Sequence, residues 1–73
     1  MTPISKSSYR NIISILNDTE NQDRKIVDAE ACLRAYGSYK DFEVDTFLKD
    51  CDLINNEYLQ QIATEVKRIW FYS

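Results

Sequence analysis

A regular pattern of hydrophobic and polar positions marks the end of the chain, where residues 55–72 read NNEYLQQIATEVKRIWFY. Six apolar residues recur at steps of three and four, which places them on one face of a helix. They are Leu59, Ile62, Ala63, Val66, Ile69 and Trp70. Asn55 stands at the N-cap position, where its side-chain oxygen can accept from a backbone N–H of the first turn. The pattern predicts a helix over 55–72 with this face in the core.

Phe71 and Tyr72 fall outside this apolar face, among its polar and charged residues. One interpretation is that the helix ends at Ile69 and that the tail folds back over the domain. The other is that the two aromatic side chains form an exposed patch that contacts a partner.

An apolar stripe near the start of the chain predicts a first helix of about residues 3–17. Its members are Tyr9, Ile12, Ile13 and Leu16. Ile15 points away from this stripe. Pro3 suits the first position of the helix, and the alternative is a start near Ser7 or Ser8.

A second helix is predicted over residues 20–36. Thr19 and Gln22 have the spacing of a capping box, and Gly37 fits the left-handed position that commonly follows a helix. One apolar face carries Ile26, Ala29, Leu33 and Tyr36, with Cys32 beside it, and a second face carries Val27, Ala31 and Ala35. A helix that is apolar on two sides is usually packed between neighbours. We therefore expect this helix to be the central packing element.

A third helix is predicted over residues 39–51. Ser38 and Asp41 have the spacing of a capping box. The apolar stripe of this helix consists of Val44, Phe47, Leu48 and Cys51. At helical spacing, Phe42 falls on the side of this helix opposite the stripe. Apolar residues also alternate over 42–48, as in a half-buried strand, but the charged residues between them and the lack of a partner strand favour the helix.

Together these patterns predict a single small helical domain over residues 1–73. The fold class is all-α, a compact bundle of four short helices. Composition supports this, because one Gly and one Pro are few for the turns of an all-β fold. The 44% apolar fraction is near the globular norm.

Charge and targeting signals narrow the function classes. Nine basic and twelve acidic residues give a net charge of −3, whereas nucleic-acid binders usually show a basic face. There is no apolar run long enough to span a bilayer, and the N-terminal residues lack the apolar region of a secretory signal. We expect a cytoplasmic protein that does not bind a membrane. Cys32 and Cys51 are expected to be buried free thiols, and a bridge between them is the alternative.

The residue inventory argues against an enzyme. The chain has no His, the commonest general base and metal ligand. One Gly cannot form a Gly-rich phosphate loop. The acids of residues 41–45 alternate as in an EF-hand, but the required Gly and the closing Glu are missing. We therefore expect no catalytic residue, no cofactor and no metal site.

The second and third helices, with Gly37 between them, have the outline of a helix-turn-helix. The second helix of that motif must enter the major groove. Here it carries four acids, Asp41, Glu43, Asp45 and Asp50, which the phosphates would repel. A DNA-binding regulator is therefore the alternative function rather than the favoured one.

The favoured hypothesis is a small acidic interaction module that binds another protein, possessing a basic surface, and modulates it by inhibition. Two sets of residues are candidates for the contact. The first is Phe42 among the acids Asp41, Glu43 and Asp45, because an aromatic ringed by charges resembles an interface hot spot. The second is Phe71 with Tyr72. A homo-oligomeric structural protein, with the tail aromatics buried against another copy, is a further alternative.

Overall fold

Four helices make up the computed structural model, which describes residues 5–39 and 42–72 and the side chains as far as residue 68. They are α1 (Lys6–Asp18), α2 (Gln22–Tyr36), α3 (Val44–Asp50) and α4 (Glu57–Tyr72). The described ranges contain no strand, so the predicted all-α bundle of four short helices is confirmed. In these ranges, too, no helix combines the length and the apolar character that crossing a membrane requires.

Thr19 ends α1 and does not begin α2. Its N–H donates to the Leu16 carbonyl at 3.2 Å, and its hydroxyl donates to the Ile15 carbonyl at 2.9 Å. The N-cap of α2 is Asn21, whose side-chain oxygen accepts from the Arg24 N–H at 3.0 Å. The predicted capping box at Thr19 is therefore wrong, because Asn is at least as strong a cap and stands two residues later.

Side-chain caps also fix the starts of α1 and α4. Ser5 Oγ accepts from the Ser8 N–H at 3.2 Å, so α1 begins between its two predicted starts. Asn56 Oδ1 accepts from the Leu59 N–H at 2.9 Å. The cap of α4 is thus Asn56 and not Asn55, one residue from the prediction.

Gly37 ends α2 with a right-handed backbone, φ −63° and ψ −21°. The expected left-handed cap at this glycine is therefore wrong. Instead, a Cβ at this position would lie 2.8 Å from Cγ2 of Val66 on α4, closer than carbon atoms approach without displacement. The added carbon would also clash with the Leu33 carbonyl oxygen, so the glycine is needed both for the close approach of α2 to α4 and for the last turn of α2.

The third helix is shorter than predicted, with seven residues beginning at Val44. It ends in a Schellman motif: the Leu53 N–H donates to the Leu48 carbonyl at 2.8 Å, and the Asp52 N–H donates to the Lys49 carbonyl at 3.0 Å. Asp52 takes the left-handed position of this motif with φ 59°. Leu48 and Leu53 are both buried, so the turn that leads to α4 is anchored in the core.

Phe42 is buried, with 3% of its surface exposed, and the prediction that it faces away from the core is wrong. Its ring centroid lies 5.3 Å from that of Phe47 and stacks at 6.1 Å on Tyr36. Because α3 starts only at Val44, Phe42 stands on non-helical backbone. In extended backbone residues two apart share a side, so Phe42 and Val44 both point inward and Glu43 points out.

The core joins all four helices and the connections that flank α3. Its buried residues are Leu16, Ala29, Leu33, Phe42, Val44, Phe47, Leu48, Cys51, Leu53, Leu59, Ile62, Ala63 and Val66. α2 packs against both α1 and α4, as expected of the central element. Its second apolar face is nevertheless not sandwiched: Val27, Ala31 and Ala35 are exposed.

Candidate interaction surfaces

The acidic surface predicted at the third helix is present only in part. Glu43 and Asp45 are exposed at the start of α3, and Asp41 lies outside the described residues. Asp45 pairs with Lys67 of α4, Oδ1 to Nζ at 2.8 Å, so part of its charge is compensated within the fold. Because Phe42 is buried, the aromatic that was to form the centre of this surface cannot contact a partner from it.

The aromatic tip lies at the end of α4. The backbone remains helical to Tyr72, so the interpretation that the helix ends at Ile69 is wrong. The side chains of Ile69, Trp70, Phe71 and Tyr72 lie outside the described part of the structure. The role predicted for Phe71 and Tyr72 stays a prediction.

The outline of a helix-turn-helix changes once the bounds of α3 are known. Seven residues, 37–43, separate α2 from α3, which is longer than the turn of three or four residues that is typical of the motif. The outward side of α3 carries Asp45 and Asp50 with Lys49. A DNA-binding role gains no support from this helix.

A hydrogen-bonded contact holds α1 against the end of α3. The Tyr9 hydroxyl donates to Asp50 Oδ2 at 2.6 Å, and Asn17 Nδ2 donates to the Asp50 carbonyl at 3.1 Å. Burial, and then the hydrogen bond to the carboxylate, raise the pKa of Tyr9 above its ordinary value. Beside this contact lies an open groove of about 470 Å³ whose lining includes Lys6 and Arg10. Its mixed charges, two cations facing Asp50, do not single out one kind of ligand.

A polar network crosses from α2 to α4. Glu30 accepts from the Tyr58 hydroxyl at 2.7 Å and from Arg34 Nε at 3.0 Å. The Tyr58 hydrogen bond, followed by that of Arg34, lowers the pKa of Glu30. Arg34 also approaches Glu65 at 3.9 Å. The four side chains of this network, Glu30, Arg34, Tyr58 and Glu65, thus have partners within the fold. The network links α2 to α4 at the surface.

The α1–α2 groove, in contrast, is mostly apolar and open to solvent. It has a volume of about 290 Å³ and is lined by Ile12, Ile15, Leu16, Asp28, Ala31 and Cys32. Leu16 is buried and forms its floor, whereas Ile15 is 64% exposed at its edge. On α2, one turn before Ala31, Val27 is 60% exposed. Ile15 thus stands in solvent at the edge of a groove that no described residue fills, and Val27 stands in solvent one turn from its lining on α2.

One end of this groove is acidic. Asp18, Glu20 and Asp23 are exposed where α1 ends and α2 begins, and none of them pairs with a cation among the described residues. Asp28 lies in the groove itself and contacts Arg24 at 3.4 Å, an exposed pair at the ordinary helix spacing. The apolar groove therefore has a carboxylate in its lining and more at one end.

Both cysteines are free thiols. Cys51 is buried and Cys32 is half-buried. Desolvation raises the pKa of Cys51 to about 11 and also raises that of Cys32, with a further contribution from the charge of Asp28. Such thiols are poor nucleophiles at neutral pH. No cluster of His, Cys, Asp and Glu among the described residues could hold a metal ion.

The sequence contained signals for the α1–α2 groove, although the predicted sites lay elsewhere. Ile15 pointed away from the stripe of its helix, and Val27 belonged to a second apolar face. Taken together across the short α1–α2 connection, these two residues indicate one exposed apolar surface. Comparison with known proteins adds nothing to this, since no family model, curated protein or solved structure matches the chain.

Proposed function

We propose that this protein is a small interaction module that binds another protein through the α1–α2 groove and inhibits it by covering the bound surface. The observation that carries the proposal is the 64% exposure of Ile15 at the edge of this groove, with Val27 60% exposed on α2 one turn before Ala31 of the lining. Isolated exposed apolar residues are ordinary, but grouped ones mark interaction sites. Ile15 belongs to the concave lining, and Val27 lies on the neighbouring helix one turn before Ala31 of that lining.

Ile15 and Val27 contribute little to the stability of the fold while they stand in solvent. Burying an aliphatic side chain of this size from water contributes about 1.5–3 kcal/mol, and the fold leaves most of that gain unused at Ile15 and Val27. A partner that covers the groove would obtain it. Ala31 adds to this, because a small side chain lets another backbone come close.

Among the candidate surfaces, the α1–α2 groove has the best support. At the start of α3, Phe42 is buried and Asp45 is paired with Lys67, which leaves a weaker site there. Phe71 and Tyr72 remain a second candidate surface and are included in the test. We place the action of the protein in the cytoplasm, where a reducing environment would keep Cys32 and Cys51 in the free form they have here.

The test compares partner capture from the source cell by four full-length proteins: the original chain, Ile15→Lys, Gln61→Lys and the double variant Phe71→Ala/Tyr72→Ala. Ile15 and Gln61 are both exposed helical positions, so the first two variants add the same charge, and only Ile15 lies at the groove. Circular dichroism confirms that each variant is folded. We expect Ile15→Lys to lose a protein that the original chain and Gln61→Lys retain.

Retention of that protein by Ile15→Lys would overturn the assignment of the groove. Its loss only from the double variant would move the contact to the aromatic tip. Inhibition is then read from the activity of the captured partner, which should fall on addition of the original chain and not on addition of Ile15→Lys.

A further inference from the structure

We infer that the element received by the α1–α2 groove is an amphipathic helix with Lys or Arg residues beside its apolar stripe. This rests on the proposed function and specifies its partner by chemistry. A helix in a groove is a common mode of recognition, in which apolar side chains at helical spacing enter between two helices of the receptor.

The shape of the groove fits a helix. α1 and α2 are joined by the three residues 19–21 and pack against each other, so they form a helical hairpin, and the groove is the furrow between them. The lining runs from Ile12 to Leu16 on α1 and from Asp28 to Cys32 on α2, five residues of each helix, which at 1.5 Å per residue is about 8 Å. That length accommodates between one and two turns of a partner helix.

The lining favours apolar side chains along the middle of such a helix. Ile12 and Ile15 form one wall, Ala31 and Cys32 form the other, and Leu16 lies between them. The Ala31 side lets a helix approach closely, while Ile15 can pack against the flank of that helix. An extended peptide would also need backbone partners, but the groove walls are helices whose backbone groups are already hydrogen-bonded.

The acidic residues at the groove favour a partner helix that carries Lys or Arg beside its apolar stripe. Asp28 is the carboxylate in the described lining, and its contact with Arg24 joins side chains that are 36% and 73% exposed. Such an exposed pair is weak and readily exchanged. Lys25, the neighbouring cation, is half-buried, and the ion pair of Asp28 is made with Arg24. A Lys or Arg of the partner could therefore form an ion pair with the Asp28 carboxylate, and only the weak pair with Arg24 would be lost.

The acids at the α1–α2 connection also favour a basic partner helix. Asp18, Glu20 and Asp23 are exposed at one end of the furrow, and the whole chain carries a charge of −3. Complementary charges speed association and fix orientation more than they add affinity. We therefore expect the basic residues of the partner helix to lie toward this end.

The test uses two synthetic peptides of 18 residues that share one stripe of Leu and Ala at helical spacing. Lys flanks the stripe in the first peptide, and Glu flanks it in the second. Each is titrated into the full-length, ¹⁵N-labelled chain at low salt while amide spectra are recorded. The same titrations are made with Asp28→Asn and with Glu57→Gln, which removes one charge from the exposed start of α4 as a matched control.

We expect the Lys peptide to shift the signals of the groove residues and to bind at least tenfold more tightly than the Glu peptide. Asp28→Asn should weaken the Lys peptide at least threefold more than Glu57→Gln does. Equal binding of the two peptides, equal effects of the two variants, or shifts confined to α3 and the end of α4 would each overturn the inference. Groove shifts that depend on protein concentration without peptide would overturn it too, because a second copy would then be the occupant.

The two proposals fail in different ways. If Ile15→Lys loses the captured partner and Asp28→Asn retains it as well as Glu57→Gln does, the groove is the binding surface and the basic helix is wrong. If Ile15→Lys retains the partner, the proposed function itself fails, whatever the peptides do.

Discussion

A methyl group added to Gly37 would lie 2.8 Å from Cγ2 of Val66, so the end of α2 and the second half of α4 touch through a glycine. This contact makes the glycine a packing residue. Its backbone angles, φ −63° and ψ −21°, are allowed for any amino acid, although the added carbon would also clash with the Leu33 carbonyl oxygen of α2. A larger residue at position 37 should therefore raise the stability through its backbone restriction but lower it through overpacking.

Replacing Gly37 by Ala should lower the free energy of unfolding by about 1–3 kcal/mol, the usual cost of overpacking a core. Without the contacts to Val66 and to the Leu33 carbonyl oxygen, the same change would stabilise by about 0.4–1 kcal/mol, because it restricts the unfolded chain. Urea unfolding decides between the two signs. Ala35→Gly, at an exposed position of the same helix, is the control for backbone effects. An unfolding midpoint of Gly37→Ala at or above that of the original chain would contradict the account.

Asp52 offers the opposite kind of substitution. It holds φ 59° after α3, a conformation that costs L-residues about 1–2 kcal/mol and glycine almost nothing. Asp52→Gly should raise the free energy of unfolding by about 0.5–1 kcal/mol, part of the relief being offset by the greater freedom of glycine in the unfolded chain. Thermal unfolding measures this, with Asp52→Ala as the control that should not stabilise. A lower melting temperature for Asp52→Gly would contradict this, because the Asp52 side chain would then stabilise the fold by more than its backbone conformation costs.

The contact between Tyr9 and Asp50 should make stability depend on alkaline pH. Tyr9→Phe removes a hydrogen bond that is exposed to solvent, so the loss should be that of an ordinary hydrogen bond, about 0.5–1.5 kcal/mol near pH 7. Because the folded-state pKa of Tyr9 is raised, chiefly by burial, its contribution is complete below the ordinary tyrosine pKa of 10.0 and is lost as pH rises above that value.

Urea unfolding of the original chain and of Tyr9→Phe, at a series of pH values from 7 to about 11, checks this. The stability difference between them should stay constant to near pH 10 and then shrink. A difference that is constant or grows over the whole range would contradict the assignment of the raised pKa to this tyrosine.

The two cysteines should differ in reactivity. Burial raises the pKa of Cys51 to about 11, so at pH 8 roughly one thiol in a thousand is the reactive thiolate, and access is closed as well. Cys32 is half-buried and should react first. With a thiol-reactive disulfide reagent, Cys32→Ala should be modified at least tenfold more slowly than Cys51→Ala, and equal rates in the folded proteins would contradict the burial described for Cys51.

Much of the fold could be predicted from spacing because helical periodicity is local. The apolar face of α4 from Leu59 to Val66 is buried as expected, and the residues of α3 that were assigned to its stripe are core residues. The errors lie at helix ends, where Thr19, Asn55 and Gly37 each fit a cap by residue type. Which of several suitable residues becomes the cap depends on how the connection packs, and packing is not local.

The candidate site shows the same limit. Phe42 was placed on a helix wheel that does not extend to it, so its direction was reversed. The alternation of Phe42 and Val44 was the better signal, because the backbone there is extended. Ile15 and Val27 were placed correctly on their helices, yet only the packing of α1 against α2 shows that Ile15 lines a groove and that Val27 lies one turn from it.

The central claim, binding through the α1–α2 groove, is tested most directly by calorimetric titration of the purified partner with the original chain, Ile15→Lys and Gln61→Lys. A partner that buries Ile15 should lose at least tenfold in affinity for Ile15→Lys, since an isoleucine buried at an interface contributes about 1.5–3 kcal/mol. Gln61→Lys should bind within about twofold of the original chain, because surface changes outside a contact have small effects. Equal affinity of the partner for Ile15→Lys and Gln61→Lys would contradict the account.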